Sequence, residues 1–180
     1  MLQSLTLHPL LSTERLVLTP VAISDFEDLI AVWSDEGFTR AITGRALTQE
    51  EVWFRLLRDL GHWQALGRGN WSMRNRETLT YVGSVGVLNY KRDLDPPFDA
   101  PELGWGVTSE FQGQGFAREG LEAVLTYVDT VLAEPRTVCM ISPDNAPSLK
   151  LAERVGYIRY ADGFYKDHIV HLLDRPRLHG

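Results

Sequence analysis

A mixed α/β fold arranged around one central sheet is predicted by three observations. Runs rich in apolar and β-branched residues alternate with stretches whose apolar residues recur at helical spacing. A glycine-bearing turn, Gln112 to Gly115, joins a strand-like run to a clean amphipathic helix. The chain then closes on a hairpin pattern. The predicted order is β-α-α-β-β-β-α-β-α-β-β, in which strands and helices intermix rather than segregate.

Glu14 to Thr19 is apolar and β-branched and reads as a strand ending at Pro20. Ser24 and Glu27 have capping-box spacing, and Phe26, Leu29, Ile30 and Trp33 follow at helical intervals, so a helix is expected from about Ser24. A second capping box, Thr48 with Glu51, opens a helix whose buried face is Val52, Leu56, Leu60 and Trp63 and which runs to about Leu66. Glycines at 67 and 69 break the chain, and Trp71 to Arg74 with Thr80 to Tyr90 form a hairpin pattern. Lys91 to Pro101, with its prolines and aspartates, reads as a loop too broken to hold a regular element. Glu102 to Thr108 is the next strand. Ala117, Leu121, Val124, Leu125, Val128 and Leu132 then mark one face of a helix. Thr137 to Ile141 is a short buried strand, and Asn145 to Val155 is a helix stopped by Gly156, which suits the left-handed position after a helix. Tyr157 to Tyr160 and Tyr165 to Leu173 are the closing strands.

A length of 180 residues suits one domain, 1–180, with a sizeable core. The formal net charge of -6 argues against nucleic-acid binding by general attraction and mildly favours a cationic substrate. One cysteine, Cys139, excludes an internal disulfide and suits the cytoplasm. Met1 to Leu10 lacks the pattern of a signal peptide, and no run approaches the roughly 20 apolar residues of a membrane span. His62, His168 and His171 do not form a metal spacing, so no metal is expected. A homodimer is left open.

The segment from Glu102 to Leu132 carries the chemistry. The first turn of a helix leaves backbone N–H groups without internal partners, at the positive end of its dipole. Gly113 and Gly115 have no side chain to obstruct approach, so a pyrophosphate can sit on the amides of Gly113 to Ala117, with Ala117 small enough not to crowd it. A tight turn alone would also use these glycines. The dinucleotide pattern Gly-x-Gly-x-x-Gly fails at Arg118, and the Walker pattern is absent, so NAD and ATP sites lack support.

Gln112, Gly113, Gln114, Gly115, Phe116 and Ala117 do resemble the acetyltransferase signature Gln/Arg-x-x-Gly-x-Gly/Ala, placed as that signature requires between a strand and a helix. Asn145, Ser148, Leu151 and the pair Gly156–Tyr157 resemble the second block of the same family, the GNAT N-acetyltransferases. Thr13 to Pro20 resembles the opening of its RimJ/RimL-like branch, which includes ribosomal-protein N-terminal acetyltransferases. The resemblance implies a central twisted mixed sheet with helices on both faces. It also implies transfer of an acetyl group from acetyl-CoA to a primary amine by direct attack in a ternary complex. The acceptor is a small-molecule amine or a protein N-terminus. A non-catalytic acyl-CoA-binding module is the competing reading.

The resemblance further implies that acetyl-CoA lies between two splayed parallel strands, Glu102–Thr108 and Thr137–Ile141. Backbone groups of Val107 and Thr108 would bind the pantetheine arm, and an amide near Val107 would serve the oxyanion. Gly104 and Gly106 are compatible with a bulge there, or simply admit a neighbouring ring. Asn145 is either a pantetheine ligand or only a helix cap. Glu102 is the candidate base, with an exposed structural acid as the alternative. Many relatives carry a tyrosine acid at the position of Ala152, so Ser148 or water stands in as acid. Phe38, Arg40 and Trp53 are candidates for touching the acceptor, while Trp33 and Trp63 read as packing.

Overall fold

A computed structural model describes residues 9–40 and 42–178. The reading of Met1 to Leu10 lies, up to His8, outside the described residues. Among the described residues the sheet has nine strands: β1 (Leu11–Ser12), β2 (Leu16–Pro20), β3 (Asn70–Asn75), β4 (Tyr81–Leu88), β5 (Leu94–Asp95), β6 (Glu102–Val107), β7 (Arg136–Ile141), β8 (Ile158–Tyr165) and β9 (His168–Pro176). Their spatial order is β1-β2-β3-β4-β6-β7-β9-β8-β5. Every pairing is antiparallel except β6 with β7. The helices are α1 (Phe26–Ser34), α2 (Glu36–Thr39), α3 (Gln49–Leu66), α4 (Phe116–Tyr127) and α5 (Ala146–Arg154).

Strand alternation sends neighbouring residues of β3 to opposite faces. Trp71 and Met73 are fully buried on the side where α4 packs, and the approach is so close that a Cβ on Gly120 would stand 2.2 Å from the Met73 sulfur. Ser72 and Arg74 face the other way and bind Asp25 at the start of α1. Helices therefore cover both faces, and a continuous core runs from Leu16 and Leu18 through Val82, Val85 and Leu121.

The second capping box forms as expected: Thr48 N–H donates to Glu51 Oε2 at 2.8 Å, and Glu51 N–H to Thr48 Oγ1 at 3.3 Å. The first does not. Asp25, not Glu27, accepts the N–H of Ala22, and a 3₁₀ turn over Ile23–Asp25 precedes α1. Asp25 is 3% exposed and held by Ser72 and Arg74, so this tertiary ion pair displaces the cap that local spacing suggested. The loop from Lys91 to Pro101 holds a short strand after all, because Leu94 and Asp95 pair with Tyr165 and Phe164 on a free edge. The closing hairpin also differs. Asp162 and Gly163 look like a turn but continue β8, and the chain reverses at Lys166 and Asp167, both at positive φ, as a hairpin turn of the primed type demands. The fourth helix ends in a π-helical turn over Val128–Leu132.

Candidate functional site

Strands β6 and β7 touch at one end only. Their register contains the single pair Glu102↔Val138, with Val138 N–H donating to Pro101 O at 2.9 Å. From there toward Val107 they diverge. No bulge in β6 causes this, since β6 pairs with β4 without a register shift. The irregularity lies one strand away, where Met73 opposes Gly83 and Arg74 opposes Tyr81, leaving Val82 extra. Gly106 serves the alternative use: a Cβ there would stand 2.8 Å from the Phe38 ring.

At the open end β6 leads into a 3₁₀ turn, Ser109–Phe111, and then to Gly113 (φ 74°) and Gly115 (φ 84°). Nothing lies within 4 Å of where a Cβ on Gly113 would stand, so left-handed backbone rather than crowding selects glycine there. Among the described residues no acceptor takes the N–H groups of Gly113, Gln114, Gly115, Phe116 or Ala117. These donors fit an anion. The two glutamine side chains brace the turn instead: Gln112 Nε2 donates to Val107 O at 3.2 Å, and Gln114 Nε2 to Glu110 O at 2.8 Å. Phe116 is buried beneath, edge-on to Phe111 and capped by the Arg15 guanidinium at 4.3 Å.

A brace invisible from motif reading ties this turn to the connection between β1 and β2. Arg15 donates through Nε to Glu119 at 2.7 Å and through Nη1 to Gln114 O at 3.1 Å, while Thr13 and the Arg15 N–H also donate to Glu119. Partial burial pushes the Glu119 carboxyl up, but these donors outweigh it and hold it below the usual glutamate value. Arg118 is likewise paired, with Glu122. The turn therefore presents amides rather than free cations.

Thr108 N–H donates to Val82 O and its carbonyl accepts from Phe111, so both backbone groups are engaged within the chain. Because successive strand residues aim their backbone groups at opposite edges, the Val107 N–H faces the gap instead. Asn145 Oδ1 accepts the N–H of Ser148 at 3.2 Å, which is a helix cap. Both residues also line a cleft of about 640 Å³ that opens between the strands and extends under α1 to α3.

Glu102 also lines this cleft and is only 6% exposed, so it is not the exposed acid of the alternative reading. Arg92 grips it with Nε and Nη2, at 2.7 and 2.9 Å, and donates through Nη1 to Tyr165 at 3.0 Å. Ala152 is fully buried. Tyr157 is buried, bound to Thr137 and absent from the lining of the cleft, so it does not stand in the place of the missing acid. Burial, reinforced by Glu102, pushes the Cys139 thiol up.

Phe38 and Arg40 line the cleft; Trp53 does not, and packs edge-on against Phe26 at 5.0 Å. Trp33, read as packing, lines it instead, with the Arg55 guanidinium 4.0 Å over its ring. Arg55, Arg58 and Arg92 line the same wall. The latter two lie over the two-sided ring of Tyr90 at 4.1 and 5.1 Å. Sequence reasoning missed all three. Arg55 neighbours an apolar helix stripe and Arg92 lies in a loop, so neither carried a signal. Among the described residues no group of potential metal ligands comes together, and no helix is long and apolar enough to cross a membrane.

Comparison with known proteins matches residues 15–158 to a family model described as an acetyltransferase (GNAT) domain. A GnaT-family acetyltransferase from Bordetella pertussis superposes with a TM-score of 0.83 and 33% identity, covering 93% of this chain and 99% of that one. The uncharacterised N-acetyltransferase YoaA of Bacillus subtilis (strain 168) is 24% identical over 180 residues, 95% of this chain and 99% of its own. The ribosomal protein uS5-alanine N-acetyltransferase of Escherichia coli (strain K12) is 29% identical over 100 residues, 51% of this chain and 52% of its own.

Proposed function

The chain belongs to the GNAT acetyltransferase family and is an acetyl-CoA-dependent N-acetyltransferase, and from that premise we propose how its residues divide the work. The observation that carries the proposal is the row of unaccepted N–H donors from Gly113 to Ala117 at the open end of the β6–β7 gap. These amides hold the diphosphate of acetyl-CoA, a mode that needs no cation because the helix terminus supplies both donors and dipole. When bound, acetyl-CoA supplies an acyl group activated as a thioester.

The Val107 N–H, facing the gap, pairs with the pantetheine arm or with the acyl oxygen as negative charge develops there. Asn145 spends its oxygen on the helix cap and keeps its amide N–H groups for the pantetheine chain. Glu102 takes the proton of the incoming ammonium through water; each of its oxygens accepts from Arg92 and keeps further lone pairs. Ser148, resupplied from water, or water itself delivers a proton to the departing sulfur. Thiolate is in any case a tolerable leaving group, with a thiol pKa near ~8.5. Direct attack on the thioester is favoured over an acyl-enzyme, because the buried Cys139 thiol is held protonated. The acceptor is a small amine or a protein N-terminus; partial likeness to the uS5-alanine enzyme supports the second. A lone buried cysteine supports a cytoplasmic setting.

The test is an acceptor panel with free-thiol detection, run beside acetyl-CoA titration of Gly115→Val. Amine-dependent thiol release is expected. The variant places a β-branched residue at φ 84° and should lose acetyl-CoA affinity while keeping its circular dichroism. Unchanged affinity would remove the turn as the diphosphate site, and thiol release independent of any amine would count against transfer.

A further inference from the structure

We propose that the acceptor amine carries a carboxylate, and that Arg55 is the residue that binds it. This rests on the acetyl-transfer reading of the same cleft. Although the chain as a whole is acidic, the wall beneath α3 is basic. Of the other arginines that line the cleft, Arg40 is exposed, where solvent screens its charge, and three are neutralised by partners. Arg45 is paired with Glu51, Arg58 with Asp59 and Arg92 with Glu102. Arg55 is not: among the described residues its guanidinium has no hydrogen-bond or ion-pair partner, only the face of Trp33 at 4.0 Å.

The nearby acids bond other groups. Asp59 lies one helical turn after Arg55, but its Oδ1 accepts from Arg58 at 3.0 Å and from the Tyr90 hydroxyl at 2.7 Å, and its Oδ2 from Asn70 at 2.9 Å. Glu102 is held on both oxygens by Arg92. Burial lowers the Arg55 pKa from its usual value, and Arg58 adds to that effect, as expected of a cation short of counter-charge.

A partly buried guanidinium left uncompensated costs stability, so charges in such places are normally paired. Stacking on Trp33 uses the face of the guanidinium and leaves its edge, with N–H donors in a rigid fork, free to meet a carboxylate two-on-two. One partly buried, uncompensated arginine matches one monoanionic group. Trp33, Arg55 and Glu102 line one cleft, so an acceptor held at Arg55 shares it with the proposed base. The net charge of the chain points to a cationic substrate; the local field at this wall points the other way, and at contact range the local field governs.

The experiment compares matched acceptors: amino acids with their carboxamides, and dipeptides carrying Glu at the second position with those carrying Gln. Values of kcat/KM are measured for the native enzyme, Arg55→Met and Arg55→Lys. In parallel, the N-acetylated products are titrated into CoA-loaded enzyme, so binding is read without turnover. The native enzyme should favour the carboxylate member by roughly tenfold to a hundredfold, mostly through KM. Arg55→Met should remove that preference, costing the amide members much less, and Arg55→Lys should retain part of it. A preference confined to amino acids assigns a small acceptor; one that extends to the Glu dipeptides assigns an acidic peptide. An indifferent native enzyme, or equal losses on both members in Arg55→Met, overturns the proposal. Should Arg55→Met fail to fold, the native preference and the Lys variant decide. Product binding that depends on Arg55 without any turnover would instead sink the transfer reading and leave the anion site standing.

Discussion

Glu102 sits where β6 and β7 still touch, with Arg92 on both oxygens, so its substitution probes chemistry and packing together. Glu102→Gln keeps the shape but loses the base and the charge. Turnover should fall by roughly 10²–10⁴ if Glu102 takes the amine proton, while acetyl-CoA affinity stays near native. Stability should also drop, by about 3 kcal/mol, because a half-buried Arg92 loses its counter-ion. Stopped-flow thiol release, calorimetric titration and thermal unfolding separate these effects. A stability loss with an unaffected rate would reduce Glu102 to an anchor for Arg92. Arg15 carries a comparable lesson: paired with Glu119 and bonded to Gln114 O, it is a strut for the turn rather than a free ligand for phosphate.

At the scale of elements, β6 leaves β7 after one pair while staying in register with β4 along its whole length. Gly83 is a point of close approach in that pairing. It sits at φ 157° opposite Val107, and a Cβ there would stand 2.2 Å from the Gly106 carbonyl oxygen, a backbone atom that cannot swing aside. Gly83→Ala should therefore cost at least about 2 kcal/mol, and any folded fraction should bind acetyl-CoA more weakly because Val107 is displaced. Thermal unfolding and titration check both. A native melting temperature would show that the strand pair tolerates a shift that the geometry forbids. The bulge that Gly104 and Gly106 make possible in β6 is absent, and the extra residue is Val82 of β4, whose apolar character carries no bulge signal.

Across the whole molecule, legibility followed the range of the interactions. The glycine turn with its unaccepted amides and the capping box of α3 are local, and the sequence states them in adjacent residues. The hairpin turn, the short β5 and the displaced first cap each answer to a partner distant in sequence, as Asp25 answers to Arg74. The arginine wall is further out of reach, because only folding brings Arg55, Arg92 and Trp33 together. The sheet itself has a consequence no local pattern carries. Strands β1 to β4 with β6 form one half and β7, β9, β8 and β5 the other, joined through the pair Glu102↔Val138. A molecule bound along the gap supplies the missing contacts between the halves. Acetyl-CoA at 100 times its Kd should add about 2.7 kcal/mol, which at roughly 2–4 °C per kcal/mol for a domain of this size is a rise of about 5–10 °C in Tm. Amide exchange should slow at Leu103 to Val107 and Cys139 to Ile141, the facing edges, more than in the outer strands. Gly115→Val should lose both effects. A rise in Tm with protection confined to α1 to α3 would mean that the ligand sits on the acceptor side of the sheet and that the gap between β6 and β7 does not hold it.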